Sequence, residues 1–256
     1  LDWIAFQRPA GPKGNHILDP CCGTGEALQA FHSRGPDVMN YGIELDAHRA
    51  VEAREKLRFA AQGSVFDARI NPLGSMGLLY LNPPYDWDNG ERLEMKFLKH
   101  AHKWLCADGV LVFIVPELIF LYEKHRNWIG QHFSDIAMMR VARDDYPAFK
   151  QVLLFGKKRK ERHEAGRMAS PPYPYIDDMD AAEYMVPLTD GPKIFQGTDT
   201  VTDEEVIGHW PNVIREIASI CHRCDMQSQL SPLLPLRKGH LTSLLTAGIL
   251  DGRVDT

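Results

Sequence analysis

The feature that most constrains the fold of this chain is the alternation of short apolar runs with longer mixed segments between residues 15 and 157. The longer segments carry apolar residues at three-to-four spacing, which is typical of helices, whereas the short runs are typical of buried strands. Strands that alternate with helices form a doubly wound sheet. Seven strands are predicted: His16–Asp19, Tyr41–Leu45, Gly63–Phe66, Leu78–Asn82, Val110–Val115, Ile136–Val141 and Gln151–Phe155. The predicted helices between them are Glu26–Phe31, Ala47–Ala60, Glu91–Leu105 and Glu117–His132.

The connection between the last two predicted strands differs from the others. Residues 143–150 are too few and too irregular to hold a crossover helix. Strands joined by so short a connection pair antiparallel. The predicted fold class is therefore α/β, with a Rossmann-like, seven-stranded sheet that is parallel apart from a C-terminal antiparallel hairpin.

The composition changes after residue 157. Basic residues cluster over 157–167, prolines over 170–175 and acidic residues over 177–205. Charge blocks and clustered prolines are typical of linkers and loosely packed extensions. We therefore predict a main domain over 1–157. A linker and a small C-terminal extension follow over 158–256, and this extension is a candidate substrate-recognition region.

The overall composition excludes several classes of protein. Of the 256 residues, 44% are hydrophobic and 25% are charged, which are ordinary globular values. A net charge of -5 argues against a protein that coats nucleic acid by bulk electrostatics, and the lack of a long apolar run predicts no membrane partner. Five cysteines without the spacing of a disulfide scaffold indicate a reducing, cytoplasmic setting. One CxxC motif, Cys221–Cys224, with distant histidines does not make a zinc site, so no metal is predicted.

A tight glycine turn follows the first predicted strand and leads into a helix. Glycines in such a turn let the backbone approach a ligand closely, but the third glycine of a dinucleotide-binding loop is missing. A carboxylate at Asp19 suits a ligand with a cationic amino-acid part and would repel a pyrophosphate. S-adenosyl-L-methionine therefore fits this turn better than NAD. The cofactor-binding residues predicted here are Asp19, Pro20, Cys21, Gly23 and Gly25.

Acidic residues also follow the second and third predicted strands. Glu44, with Leu45 beside it, ends the second strand, where a carboxylate can accept hydrogen bonds from both hydroxyls of a ribose. Asp67 follows the third strand, where it is expected to accept a hydrogen bond from an adenine amino group. Acids at three successive strand ends predict one ligand site along a single edge of the sheet.

The fourth predicted strand ends in the segment Asn82-Pro83-Pro84-Tyr85. Its two prolines stiffen the backbone and remove two N–H donors, so that the segment presents hydrogen-bond acceptors. The side-chain oxygen of Asn82 and the carbonyl of Pro83 can accept both hydrogens of an amino group on a planar molecule, and Tyr85 can stack on that molecule. The pattern predicts catalysis by positioning and electrostatic complementarity, with Asn82 also facing the cofactor.

Together these motifs resemble the class I S-adenosylmethionine-dependent methyltransferases, in particular the adenine-specific DNA methyltransferases with an NPPY motif. The resemblance covers about residues 15–157 and implies a seven-stranded methyltransferase sheet with S-adenosyl-L-methionine as cofactor. It also implies that the methyl acceptor is N6 of adenine in nucleic acid, with DNA as the expected polymer. In this family an aromatic residue before the last strand faces the substrate base; Phe149 is the nearest match and Tyr146 the second. The segment Pro232–Leu241 resembles a C-terminal signature of methyltransferase-like proteins from mobile elements and phages.

Further substrate contacts are expected beside the catalytic loop and after the last strand. Trp87 follows the loop, and Lys157, Lys158 and Arg159 form a basic run that suits a phosphate backbone. The short regions that flank the resemblance lead us to expect a partner subunit for target recognition. Two alternatives stay open. One is transfer to guanine N2 in RNA or to glutamine N5 in a protein, and the other is a catalytically inert binding subunit with a methyltransferase fold.

Overall fold

A computed structural model of the chain describes residues 3–32, 34, 37–164, 168–180 and 183–197. These residues belong to the first of two compact units, Leu1–Asp199. The Cys221–Cys224 and Pro232–Leu241 motifs lie outside the described residues. Among the described helices, none is long and apolar enough to cross a membrane.

The elements of the described region follow one another along the chain in a mostly alternating order. The strands are β1 (Ile4–Phe6), β2 (Asn15–Asp19), β3 (Val38–Glu44), β4 (Phe59–Gln62), β5 (Arg69–Asn71), β6 (Met76–Leu81), β7 (Trp87–Asp88), β8 (Glu91–Arg92), β9 (Leu105–Pro116), β10 (Phe133–Arg140), β11 (Gln151–Lys158), β12 (Tyr184–Val186) and β13 (Ile194–Gln196). The α-helices are α1 (Glu26–His32), α2 (Ala47–Lys56), α3 (Leu93–Ala101), α4 (Glu123–His132) and α5 (Tyr146–Phe149), and 3₁₀ turns cover His102–Trp104, Glu117–Leu121 and Ile176–Asp178.

Seven strands form the central sheet in the order β10-β11-β9-β6-β2-β3-β4. The strands from β9 to β4 run parallel to one another, and β11 is antiparallel to both β9 and β10. The predicted fold class is therefore confirmed, with the last strand inserted between β9 and β10. Because parallel strands end on the same side, β2, β3 and β6 all finish at one edge, which we call the C-terminal edge of the sheet.

The third predicted strand, Gly63–Phe66, is wrong in position. These residues form a turn, and the strand is β4, which lies partly within the helix predicted over 47–60. α2 ends early because Leu57 adopts an extended backbone conformation. Phe59 then stacks on Tyr41 of β3, with ring centroids 4.6 Å apart. Packing against the neighbouring strand therefore overrides the helical spacing of this segment.

Two other predicted helices differ from the structure in their limits. The helix predicted over 91–105 starts two residues later, because β8 pairs with β7 in a small hairpin. The helix predicted over 117–132 is divided at Tyr122, whose extended backbone separates a 3₁₀ turn from α4. Residues 143–150, predicted to be irregular, contain the four-residue helix α5.

Apolar side chains are buried on both faces of the sheet. Successive residues of a strand point to opposite faces, and in β2 the neighbours Ile17 and Leu18 are both fully buried in different apolar clusters. Trp104, Phe113 and Phe120 are among the largest side chains with almost no exposure. The sheet is thus covered on both sides, as a mostly parallel sheet requires.

The described residues 168–180 and 183–197 do not form the linker that their composition predicts. They are part of the folded unit: β12 pairs with β1, β13 pairs with β5, and Tyr173, Tyr184 and Val186 are buried. The compact unit continues to Asp199, beyond the boundary predicted at residue 157. Prolines and charges dominate the composition of this stretch, because the buried residues that hold it in the folded unit are few and widely spaced.

Candidate active site

A pocket of about 700 Å³ opens at the C-terminal edge of the sheet. Its volume lies within the range of small-molecule sites. Eight predicted site residues line it: Pro20, Cys21, Glu44, Leu45, Asn82, Pro83, Pro84 and Tyr85. The structure therefore brings the glycine turn, the acid of the second strand and the NPPY segment together in one cavity.

A hydrogen bond joins the glycine turn to the carboxylate of Glu44. Gly23 has a φ of +56°, and its N–H donates to Oε2 of Glu44 at 2.8 Å. Gly25 has a φ of +83°, and a Cβ at this position would lie 3.0 Å from the side chain of Leu57. The other carboxylate oxygen of Glu44 accepts from the N–H of Asp46 at 2.9 Å and pairs with Arg49 at 2.8 Å. A buried carboxylate is thereby held in one orientation on the pocket wall.

Asp19 lies at the end of β2 with only 2% of its surface exposed. It does not line the pocket itself, but its Oδ1 accepts a hydrogen bond of 2.9 Å from the N–H of Cys21, which does. Burial raises the pKa of Asp19 to about 7, against a smaller opposite effect of the Cys21 hydrogen bond. Burial also raises the pKa of the Cys21 thiol, so this cysteine is protonated at neutral pH.

Two successive hydrogen bonds hold the side chains of Tyr85 and Asn82 in the NPPY segment. Gln151 at the start of β11 donates from Nε2 to the hydroxyl oxygen of Tyr85 at 2.6 Å, and that hydroxyl donates to Oδ1 of Asn82 at 2.9 Å. Since Gln151 supplies a hydrogen to the Tyr85 oxygen, the Tyr85 proton is directed at Asn82. Burial raises the pKa of Tyr85, which keeps that proton in place.

Two predicted aromatic contacts lie near the pocket without lining it. Trp87, on β7 just after the NPPY segment, is 51% exposed, and Phe149, two residues before Gln151, is 61% exposed. Tyr146, the second choice for the residue before the last strand, is engaged elsewhere, because it bonds Glu117 and lies under Arg140. Of the two aromatic candidates before β11, Phe149 is thus the one with an exposed ring.

The structure does not bring Asp67 into the pocket. Its side chain is exposed and its N–H bonds the carbonyl of Ser64 at 3.1 Å, while Ser64, Val65 and Phe66 form the wall instead. The displacement of the third strand to β4 accounts for this, because the loop after β4 reaches the pocket at Gly63, four residues before Asp67.

The basic run Lys157, Lys158 and Arg159 lies at the opposite edge of the sheet. β11 runs antiparallel to β9, so Gln151 faces the end of β9 whereas Lys157 faces Val110. All three cations have partners there: Lys157 pairs with Asp135 at 3.1 Å, Lys158 donates to the carbonyl of Leu105 at 2.5 Å and Arg159 donates to that of Phe133 at 3.0 Å. The run predicted to bind substrate is therefore not brought together with the NPPY segment.

Several lining residues have no signal in the local sequence. These are Arg49, Gly63, Ser64, Val65, Phe66, Leu93, Phe97 and Gln151. Phe66 and Phe97 meet edge to face with centroids 5.0 Å apart, although 31 positions separate them in the sequence. Gln151 follows Phe149 closely and begins the last strand, so a search of strand starts as well as strand ends would have found it.

Comparisons with known proteins find distant structural similarities and one family match. No curated protein matches the sequence. A predicted O-methyltransferase from Agrobacterium tumefaciens has 19% identity and a TM-score of 0.46, over 69% of this chain and 94% of that chain. The type I restriction-modification methyltransferase subunit from Streptococcus thermophilus has 17% identity and a TM-score of 0.45, over 58% and 40% of the two chains. An S-adenosylmethionine-dependent methyltransferase from Mesorhizobium loti has 13% identity and a TM-score of 0.40, over 59% and 93%.

Structural similarities of this size carry no conclusion about function. The match to a family model is decisive for the class, since it extends over residues 4–191 and includes the glycine turn, the NPPY segment and most of the strands. The chain belongs to the uncharacterised methyltransferase family DUF6094.

Proposed function

We propose that this protein is an S-adenosyl-L-methionine-dependent methyltransferase that methylates N6 of adenine in nucleic acid, with DNA as the polymer. The observation that carries the proposal is that Asn82 and Tyr85 line the same pocket as Glu44 and Cys21. One pocket of about 700 Å³ offers room for two ligands side by side, a cofactor at the glycine turn and a planar acceptor at the NPPY segment.

The residues around the glycine turn suit the proposed cofactor. Glu44 is anchored by three contacts and presents a carboxylate to ribose hydroxyls. Phe66, 41% exposed and resting on Phe97, offers an aromatic face for an adenine ring. Asp19, once ionised, favours a cationic amino-acid group nearby. S-adenosyl-L-methionine supplies a methyl group on a positively charged sulfur when it is bound.

The NPPY segment suits a planar acceptor with an amino group. A carbonyl oxygen has two lone pairs, so Oδ1 of Asn82 can accept a substrate N–H in addition to, or in place of, the Tyr85 hydroxyl that it accepts at 2.9 Å. The carbonyl of Pro83 can take the second hydrogen. Two acceptors aimed at one amino group orient its nitrogen lone pair without a strong base.

The test is methyl transfer with labelled cofactor to adenine-containing DNA oligonucleotides, ribosomal RNA and a release factor in parallel. We expect N6-methyldeoxyadenosine in the digested DNA, identified by mass spectrometry. The variant Asn82→Ala is expected to lose at least about 100-fold in rate, while its Kd for S-adenosyl-L-methionine changes by less than about 10-fold. Asn127→Ala, which alters an exposed asparagine on α4, is the matched control and should retain full activity.

Other outcomes separate the alternatives. Product on guanine N2 or on a glutamine side chain would replace adenine as the acceptor. If the wild-type chain binds the cofactor and transfers no more methyl than Asn82→Ala, the protein is an inert binding subunit and the proposal fails.

A further inference from the structure

A small hairpin holds Trp87 at the surface immediately after the NPPY segment. β7 pairs with β8, and the guanidinium of Arg92 lies over the indole ring at 5.2 Å from its centroid. Arg92 is itself buried and donates two hydrogen bonds to the fully buried carboxylate of Glu94. The indole is therefore supported from below, yet 51% of the residue is exposed.

Tyr122 stands beside this indole. The two rings meet edge to face with centroids 6.4 Å apart, and Tyr122 is 39% exposed. We call Trp87 and Tyr122 the aromatic corner. The aromatic corner borders the NPPY segment. Trp87 comes two residues after Tyr85. The hydroxyl of Tyr85 lies 3.5 Å from the carbonyl of Ile114 in β9, the strand that leads towards Tyr122.

The hairpin and helix α3 beside the corner carry three cations that are already neutralised by carboxylates of the same chain. The pairs are Lys96 with Asp88, Lys99 with Glu91 and Arg92 with Glu94. Duplex DNA is bound mainly through cations that neutralise its phosphates. An unpaired strand is bound through aromatic rings on which successive bases stack, together with cations along its backbone. The surface around the pocket suits the second kind of ligand.

Two lysines supply a modest positive charge near the aromatic corner and the pocket. Lys124 and Lys150 are exposed, and neither forms an ion pair with any residue that the structure describes. Lys124 is two residues from Tyr122, and Lys150 adjoins Gln151 of the pocket. Two cations beside aromatic rings match the needs of a short single strand.

We infer that the acceptor is single-stranded DNA, and that the aromatic corner stacks on a base next to the target adenine. The inference rests on the proposed function, because it places an adenine at the NPPY segment. An unpaired adenine also enters the pocket without the unstacking and unpairing that a duplex requires.

The test is the Kd for a fluorescein-labelled DNA 12-mer with one adenine, measured by anisotropy in the presence of S-adenosylhomocysteine, with the single strand and its duplex compared. We expect the single strand to bind at least about 10-fold more tightly than the duplex. Trp87→Leu should weaken single-strand binding by about 10-fold or more, whereas Trp87→Phe, which keeps an aromatic face, should change it by less than about 3-fold. Tyr122→Leu should weaken it by a similar factor to Trp87→Leu.

Phe59→Leu is the matched control, since Phe59 is also a partly exposed aromatic residue with an arginine over its ring but lies on β4, an edge strand of the central sheet. It should leave the Kd within about 2-fold. Melting curves identify any variant that has failed to fold.

Equal or tighter binding of the duplex, or an unchanged Kd for Trp87→Leu, would overturn the inference. Failure of the proposed function is a separate result, because binding is measured without turnover. Methylation of adenine in the duplex but not in the single strand would keep the proposed function and reject the inference. Trp87-dependent binding of the single strand with no adenine methylation would keep the docking surface and reject the proposed function.

Discussion

Asp19 ends strand β2 with its carboxyl group almost entirely removed from water. Its burial raises the pKa from the ordinary value of 3.8 to about 7. The carboxyl group therefore carries a substantial fraction of protonated form near neutral pH. In the unfolded chain the same group ionises fully at that pH, so folding opposes ionisation of Asp19.

The pKa of Asp19 predicts how stability depends on pH. Between the unfolded and folded pKa values the folded chain binds more protons, so this residue lowers the free energy of unfolding as pH rises from about 4 to about 7. Asp19→Asn keeps the shape and the acceptor for Cys21 but removes the charge. We expect it to stabilise the cofactor-free chain by about 2–4 kcal/mol at pH 8 and by less than about 1 kcal/mol at pH 4, measured by chemical denaturation.

The exposed Asp144 serves as the control, since Asp144→Asn should leave the free energy of unfolding within about 0.5 kcal/mol at either pH. An equal effect of Asp19→Asn at pH 4 and pH 8 would contradict the assignment of the stability change to the buried charge.

At the scale of the elements, the hairpin that follows the NPPY segment is joined to helix α3. Three ion pairs join them: Arg92 to Glu94, Lys96 to Asp88 and Lys99 to Glu91. The last two are partly exposed, and exposed pairs contribute little. The first is buried, with Glu94 0% and Arg92 8% exposed, so its loss would leave an uncompensated charge inside the protein.

Glu94→Ala is therefore expected to lower the free energy of unfolding by about 3 kcal/mol or more. Urea denaturation measures this free energy. Tryptophan fluorescence reports whether the hairpin that contains Trp87 is disturbed. Glu52→Ala, at an exposed position of α2, should change it by no more than about 0.5 kcal/mol. Equal stability of the two variants would mean that the buried pair does not hold the hairpin.

At the scale of the whole molecule, residues 168–197 are part of the folded unit rather than an appendage. β12 pairs in parallel with β1, and the following residues pass close over β6: a Cβ at Gly77 would lie 2.3 Å from the carbonyl oxygen of Pro187. Thr189 bonds the backbone of Gly14 in both directions, at 2.8 and 3.0 Å. These contacts join segments that are more than a hundred residues apart in the chain.

The close approach at Gly77 makes the packing of this segment testable. Gly77→Ala would force the Pro187 backbone away, and we expect a loss of about 1–3 kcal/mol in the free energy of unfolding. Gly11→Ala, where an added Cβ meets nothing within 4 Å, should be nearly neutral. If the two variants unfold at the same urea concentration, residues 168–197 do not pack against β6 in solution.

The sequence by itself determined the elements whose signal lies in a few consecutive residues. The glycine turn, the acid at Glu44 and the NPPY segment each depend on local backbone geometry, and their order along an α/β chain places them at one edge of the sheet. This is why eight of the predicted site residues line the same pocket.

Only the tertiary structure decided the partners that come from distant segments. The Gln151 hydrogen bond to Tyr85, the Phe66–Phe97 contact and the burial of Tyr173 and Tyr184 depend on which strands become neighbours. Because β11 runs antiparallel to β9, Lys157 lies at the edge of the sheet opposite to the pocket. Strand order and strand direction arise from how the whole core packs, and no short stretch of sequence records them.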